Sequence, residues 1–201
     1  MRFAEFITIF AAAAFGAPAD SGLNKRSWTS PETGLHVRGL GYQGDGFYLA
    51  VFNESGVADV QFTPIEDLNA TTPAGDISRR DDDGNALAKR AGTTCSGKFS
   101  GNQANLNWAN WKLASNADAV HNYGFHAWGW VHDQAETSYF CNYQANYLTY
   151  QLVSDMHTVV SDKCGQSAYG FDRRTYGGGA NDLAVGRTWY DGDFCESGFK
   201  G

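Results

Sequence analysis

One stretch concentrates side chains able to do chemistry: His121-Asn122-Tyr123-Gly124-Phe125-His126-Ala127-Trp128-Gly129-Trp130-Val131-His132-Asp133. If Phe125 to His132 is a strand, alternation sorts it into two faces. Phe125, Ala127, Gly129 and Val131 point one way and suit packing under helices. His126, Trp128, Trp130 and His132 point the other way, where Tyr139 and Tyr143 of a following strand join them. An open face of this kind stacks on flat sugar rings or meets a protein partner. The competing expectation is a second, smaller core beneath loops or a hairpin, because large aromatics are mostly buried.

Catalytic readings of the same residues are weaker. His126 and His132 are a candidate general acid and base, as in a small secreted ribonuclease. An RNA substrate asks for basic neighbours, and the surrounding charge is negative. The two histidines with His121 or Asp133 lack a third metal ligand at fixed spacing, and no HExxH occurs, so no metal and no cofactor is expected. Neither Glu136 nor Glu196 sits in a catalytic motif, and no nucleophile elbow, phosphate loop or paired-carboxylate signature occurs. Gly177-Gly178-Gly179 lacks a strand–GxGxxG–helix context and reads as a loop. Asp172-Arg173-Arg174 is either a patch for a carboxylate or phosphate, or a solvated strand end. The reading leans away from an enzyme.

The elements that position these residues fall in the second half of the chain. The whole has 201 residues, a formal charge of −7, 42% hydrophobic and 18% charged residues. Enough apolar surface exists for a core, and no internal run of about 20 apolar residues occurs to span a membrane. Residues 1–19, MRFAEFITIFAAAAFGAPA, have a basic start, a short apolar run and small residues at Ala17-Pro18-Ala19. That is the pattern of a secretory signal, with an extracellular destination. Residues 20–90 hold no cysteine, two sequons at Asn53 and Asn69, and dibasic pairs at Lys25-Arg26, Arg79-Arg80 and Lys89-Arg90. Gly46 to Asn53 and Val57 to Ile65 flank a turn at Glu54-Ser55-Gly56 and read as a β-hairpin, with a third strand around Leu35 to Leu40. An isolated hairpin is marginal in water and gains by lying against another domain, which gives residues 30–70 a folding or masking role.

Residues 91–201 carry seven Lys and Arg against ten Asp and Glu, a charge of −3, with nineteen aromatics and all four cysteines. Four cysteines in a small secreted domain read as two disulfides. The predicted elements are a strand at Thr94–Ser100, a helix at Leu106–Val120 and strands at Tyr123–His132 and Thr137–Gln144. A second helix at Tyr147–Lys163 stops at Gly165, and strands follow at Gln166–Arg173 and Leu183–Tyr190. The helix stripe of Leu148, Leu152, Met156, Val159, Val160 and Lys163 marks its inner face. This order gives an α+β class, a two-layer sandwich of split βαββαβ type preceded by the hairpin. Cys95 then starts the first strand and Cys164 ends the second helix at one edge, while Cys141 and Cys195 share the other. The expected pairs are Cys95–Cys164 and Cys141–Cys195.

The signal, the cleavable Lys89-Arg90, the junction Lys163-Cys164-Gly165 and the late Cys195 together resemble fungal secreted effectors of killer-toxin-like plan, matured by a kexin-type protease. The resemblance covers about half the chain, by architecture. It implies 1–19 as signal, 20–90 as pro-segment and 91–201 as the mature domain. It further implies a secreted, non-catalytic protein acting on a host or competitor target, a protein or a cell-surface glycan. A carbohydrate-binding module using the aromatic face and a ribonuclease-like hydrolase stand as alternatives. Nucleic acid is not the favoured partner.

Overall fold

The computed structural model describes residues 27–29, 35–39, 41–68, 88–117, 126–143, 148–176, 181–190 and 194–195. The signal, Asn69, Lys25-Arg26, Arg79-Arg80, His121 and the glycine run at 177–179 lie outside the described residues. The first strands are β1 (Ser27–Thr29), β2 (His36–Arg38), β3 (Gly46–Val51) and β4 (Val57–Pro64), with a 3-10 turn at Ile65–Asp67. There follow β5 (Ala88–Phe99), α1 (Gln103–Ala117), β6 (Ala127–Asp133), β7 (Glu136–Asn142), α2 (Tyr150–Cys164), β8 (Ala168–Tyr176) and β9 (Asn181–Trp189). The class is α+β, with one mixed sheet in the order β1-β2-β4-β3-β6-β7-β9-β8-β5. β2 and β4 pair in parallel, and every other neighbouring pair is antiparallel.

From β5 onward the order is strand, helix, strand, strand, helix, strand, strand, one strand more than a split βαββαβ plan. The connectivity departs from that plan too. There the first strand lies between the third and fourth; here β9 fills that place and β5 takes the edge. The cause is local: β8 and β9 are neighbours in sequence and pair from Gly170 opposite Arg187 to Tyr176 opposite Asn181. Such short antiparallel connections form in preference to long ones.

Both helices are set by their ends. Asn102 Oδ1 accepts from the backbone N–H groups of Ala104 and Asn105, opening α1. Thr149 caps α2 by accepting from Leu152 N–H at 3.1 Å. Gly165 closes it at φ 112°, a conformation that favours glycine, and donates to the Ser161 carbonyl. The buried stripe of α2 is Val153, Met156, His157 and Val160. It is rotated from the predicted one, with Lys163 exposed. Val153 packs into the core under the helices and His157 turns to Ser138 of β7, contacts that helical spacing alone does not show.

The sheet has a core on each face. Under the helices, Ala127, Val131 and Phe140 meet Leu113 of α1 and Met156 of α2. On the other face, Trp128, Trp130, Tyr139 and the Cys141–Cys195 bridge pack with Val37, Tyr48 and Ala58. Residues from the N-terminal strands enter both cores: Phe47 and Leu68 the first, Val37, Tyr48, Ala50, Phe52 and Ala58 the second. β6 is therefore buried along its whole length. Gly129 is required there, because a Cβ would fall 2.2 Å from the ring of its cross-strand neighbour Phe140.

Both disulfides join the expected cysteines. Cys95–Cys164 ties β5 to the end of α2 with Cα atoms 5.5 Å apart. Cys141–Cys195 ties β7 to the C-terminal segment at 5.2 Å.

Candidate functional site

Alternation along β6 places the aromatic residues as the sequence indicates, but their face is closed in the intact chain. Trp128 and Trp130 are 6% and 3% exposed. Tyr48 of β3 stacks on Trp130 with centroids 5.2 Å apart and planes 5° from parallel. Phe52 meets Trp128 edge-on at 4.9 Å. From the C-terminal side Phe194 stacks on Tyr139 at 4.9 Å. Of the two expectations for this face, burial of Trp128, Trp130, His132 and Tyr139 fits the second core rather than the open platform of His126, Trp128, Trp130, His132, Tyr139 and Tyr143. The physical reason is that six-residue β3 supplies both the backbone partner for β6 and the ring that covers Trp130. His126 and Tyr143 keep partial exposure at the end of this face. Tyr143 lies 5.0 Å from the Arg173 guanidinium, and burial pushes its pKa up to about 12.

The fold does not bring together the two histidines of the hydrolase alternative. His132 is six steps along an extended chain from His126, and at about 3.3 Å per residue their Cα atoms stand roughly 20 Å apart. That is far beyond reach of one scissile bond. His132 is buried, its Nδ1 lies 2.7 Å from Thr137 Oγ1, and burial pushes its pKa down to about 3. Among the described residues no cluster of three His, Cys, Asp or Glu is placed to hold a metal.

The structure brings together residues that sequence reasoning passed over. Ser138 Oγ lies 3.0 Å from His157 Nε2. The pair has the composition of a nucleophile and base, yet both side chains are buried under α2. Burial, then Arg187, pushes the His157 pKa down to about 3. No carboxylate orients its other nitrogen among the described residues, so the pair lacks what activates a serine. Glu136 of β7, also buried, accepts from Ser100 Oγ at 2.6 Å and Tyr169 O–H at 3.0 Å, tying β7 to β8 and to the residue that follows β5. Arg187 is buried in β9 beneath α2. Period-two alternation was the available signal: Glu136 shares the inner face with Ser138 and Phe140, and Arg187 with Val185 and Leu183.

The processing and modification residues also have defined places. Lys89 and Arg90 lie on the edge strand β5, opposite Thr175 and Arg174, next to a break in register between Arg90 and Gly92. Arg173-Arg174 lies on β8 between β9 and β5. Arg173 forms a two-pronged ion pair with Asp182, and Arg174 pairs with Asp172 at 3.1 Å. Both arginines of this dibasic pair are thus held in ion pairs, the Arg173 side chain 39% exposed and that of Arg174 14%. Asn53 is exposed at the turn between β3 and β4, and its Oδ1 accepts from Ser55 and Val57 N–H.

A final tie anchors the N-terminal part: buried Lys112 of α1 donates to the Leu68 carbonyl at 3.2 Å. Burial lowers the Lys112 pKa. No described helix is long and apolar enough to cross a membrane. No family model matches the chain, and no curated protein or solved structure matches it significantly.

Proposed function

We propose that the chain is a secreted fungal effector of killer-toxin-like plan, with its signal at 1–19, cut after Lys89-Arg90, whose residues 91–201 act by binding rather than catalysis. The single observation that supports this is β3 lying along β6, from Gly46 opposite His132 to Val51 opposite Ala127, with Tyr48 on Trp130. β3 occupies the place that an extended segment of a partner protein takes when it adds a strand to a sheet. While residues 46–51 remain in one chain with β6, tethering holds them there at high effective concentration. A cut after Arg90 turns the tethered cover into a separate chain, which a tighter partner displaces for good.

Two further facts fit the proposal. Arg173-Arg174 is held in ion pairs inside the sheet, while Lys89-Arg90 sits on an edge strand, where local opening exposes backbone to a protease. Two disulfides suit an oxidising compartment. The backbone pairing of β3 favours a protein target over a glycan laid on Trp128 and Trp130.

The test is digestion of the purified full chain with a kexin-type endoprotease, followed by intact mass and a host-response assay. The expected product starts at Ala91, keeps both disulfides, and is more active than an uncut Arg90→Ala chain. Cleavage at Arg174 instead, or equal activity of the uncut variant, contradicts the proposal.

A further inference from the structure

The outer groove between α1 and α2 is polar where packed helices ordinarily meet through apolar side chains. It encloses about 270 Å³, close to the lower limit of small-molecule sites. Asn107, Asn110 and Trp111 of α1 form one wall, and Ser154, Thr158 and Asp162 of α2 the other. His157 and Arg187 lie at its base.

Arg187 is only 1% exposed. Its guanidinium donates to the carbonyls of Ala168 at 2.7 Å and Gly165 at 2.9 Å, and to Ser161 Oγ at 2.8 Å. All three acceptors are neutral, and no carboxylate pairs with it among the described residues. The carbonyl end of α2 offsets part of the cost of this buried cation. Two buried atoms on residues that line the groove, His157 Nδ1 and Asn110 Oδ1, have no hydrogen-bond partner among the described residues. Trp111 stands 4.7 Å from Trp108, which is 45% exposed. Trp111, half-buried, lines the groove and Trp108 extends it outward, and a tryptophan beside hydrogen-bonding groups suits the face of a sugar ring.

We propose that this groove binds a single sugar unit carrying one carboxylate, of uronic-acid type, with its carboxylate toward Arg187 and its ring against Trp111. Arg187 is the cation that lines the groove and matches one negative charge; Lys112 Nζ, 5.4 Å from the Trp111 ring, is turned to the Leu68 carbonyl. His157 stays neutral and adds no second cation. Asp162, exposed at the rim, accepts sugar hydroxyls and repels a dianion such as a phosphate ester more strongly than a single carboxylate held at the base of the groove. The site does not depend on cleavage after Arg90, so the uncut chain carries it.

The experiment is calorimetric titration of the full chain with glucuronate, glucose and glucose 6-phosphate. Glucuronate is expected to bind at least about tenfold more tightly than either. Ser154→Asp places a carboxylate on the wall without removing a core side chain, and weakens glucuronate about tenfold or more at an unchanged unfolding midpoint. Trp108→Ala weakens it while leaving the core intact. Three results overturn the proposal: no saturable glucuronate binding, glucose or glucose 6-phosphate binding as tightly, or an affinity indifferent to Ser154→Asp in a folded protein.

Discussion

Tyr48 and Trp130 stack with planes 5° from parallel, one ring from the N-terminal strands and one from the disulfide-bonded region. The Tyr48 hydroxyl is fixed by donating to the Gly44 carbonyl at 2.6 Å and accepting from Gln43 N–H at 2.9 Å. Replacing Tyr48 by Ala removes a buried ring from the second core, at a cost of about 3 kcal/mol. Tyr48→Phe keeps the stack and loses only the hydroxyl, costing about 1 kcal/mol. Urea midpoints of the full chain check both values.

Exposure orders the disulfides. Cys141 and Cys195 are buried, whereas Cys95 is exposed and Cys164 half-buried. Under mild reductant Cys95–Cys164 opens first, as mass-mapped alkylation will report. Removing that bridge, which spans 69 residues, costs about 4 kcal/mol on the chain-entropy estimate.

Acid acts on two buried rings. The pKa values of His132 and His157 are held down to about 3 from an ordinary 6.5, His132 by burial and His157 by burial, then Arg187. The unfolded chain therefore takes up these protons first. The stability that neutral rings provide is complete above about pH 6.5 and drains away as pH falls toward 3, at about 1 kcal/mol per pH unit per ring. Urea midpoints between pH 7 and pH 4 will fall accordingly, and the slope will be smaller in His132→Gln.

Gly129→Ala drives a methyl into the Phe140 ring, whose nearest atom is 2.2 Å away. The cost is about 1–3 kcal/mol, and Phe140→Leu in the same chain restores part of it. Thermal unfolding of the single and double variants is the check.

Local signals in the sequence reach much of this fold. Gly165 stops α2 where expected, and both cysteine pairs follow from which strand and helix ends share an edge. Alternation also sorts Trp128 and Trp130 from Ala127 and Val131. It says which residues share a face, not which distant segment covers that face, so the role of Tyr48 stays hidden. Glu136, His157 and Arg187 escape for a related reason: a polar type at an inward position reads as an outward one until its neighbours are known. β5 reaches back through Lys89-Arg90 to Ala88 because backbone pairing with β8 does not require apolar side chains.

Strands β2 to β4 and Leu68 belong to the folded unit that covers β6. The most direct measurement is urea unfolding of residues 91–201 produced alone, beside the full chain, with a dye that reports exposed apolar surface. Loss of Phe47, Tyr48 and Leu68 from the two cores predicts a midpoint far below that of the full chain and strong dye binding in the native baseline. An equal midpoint with no dye binding would contradict the account.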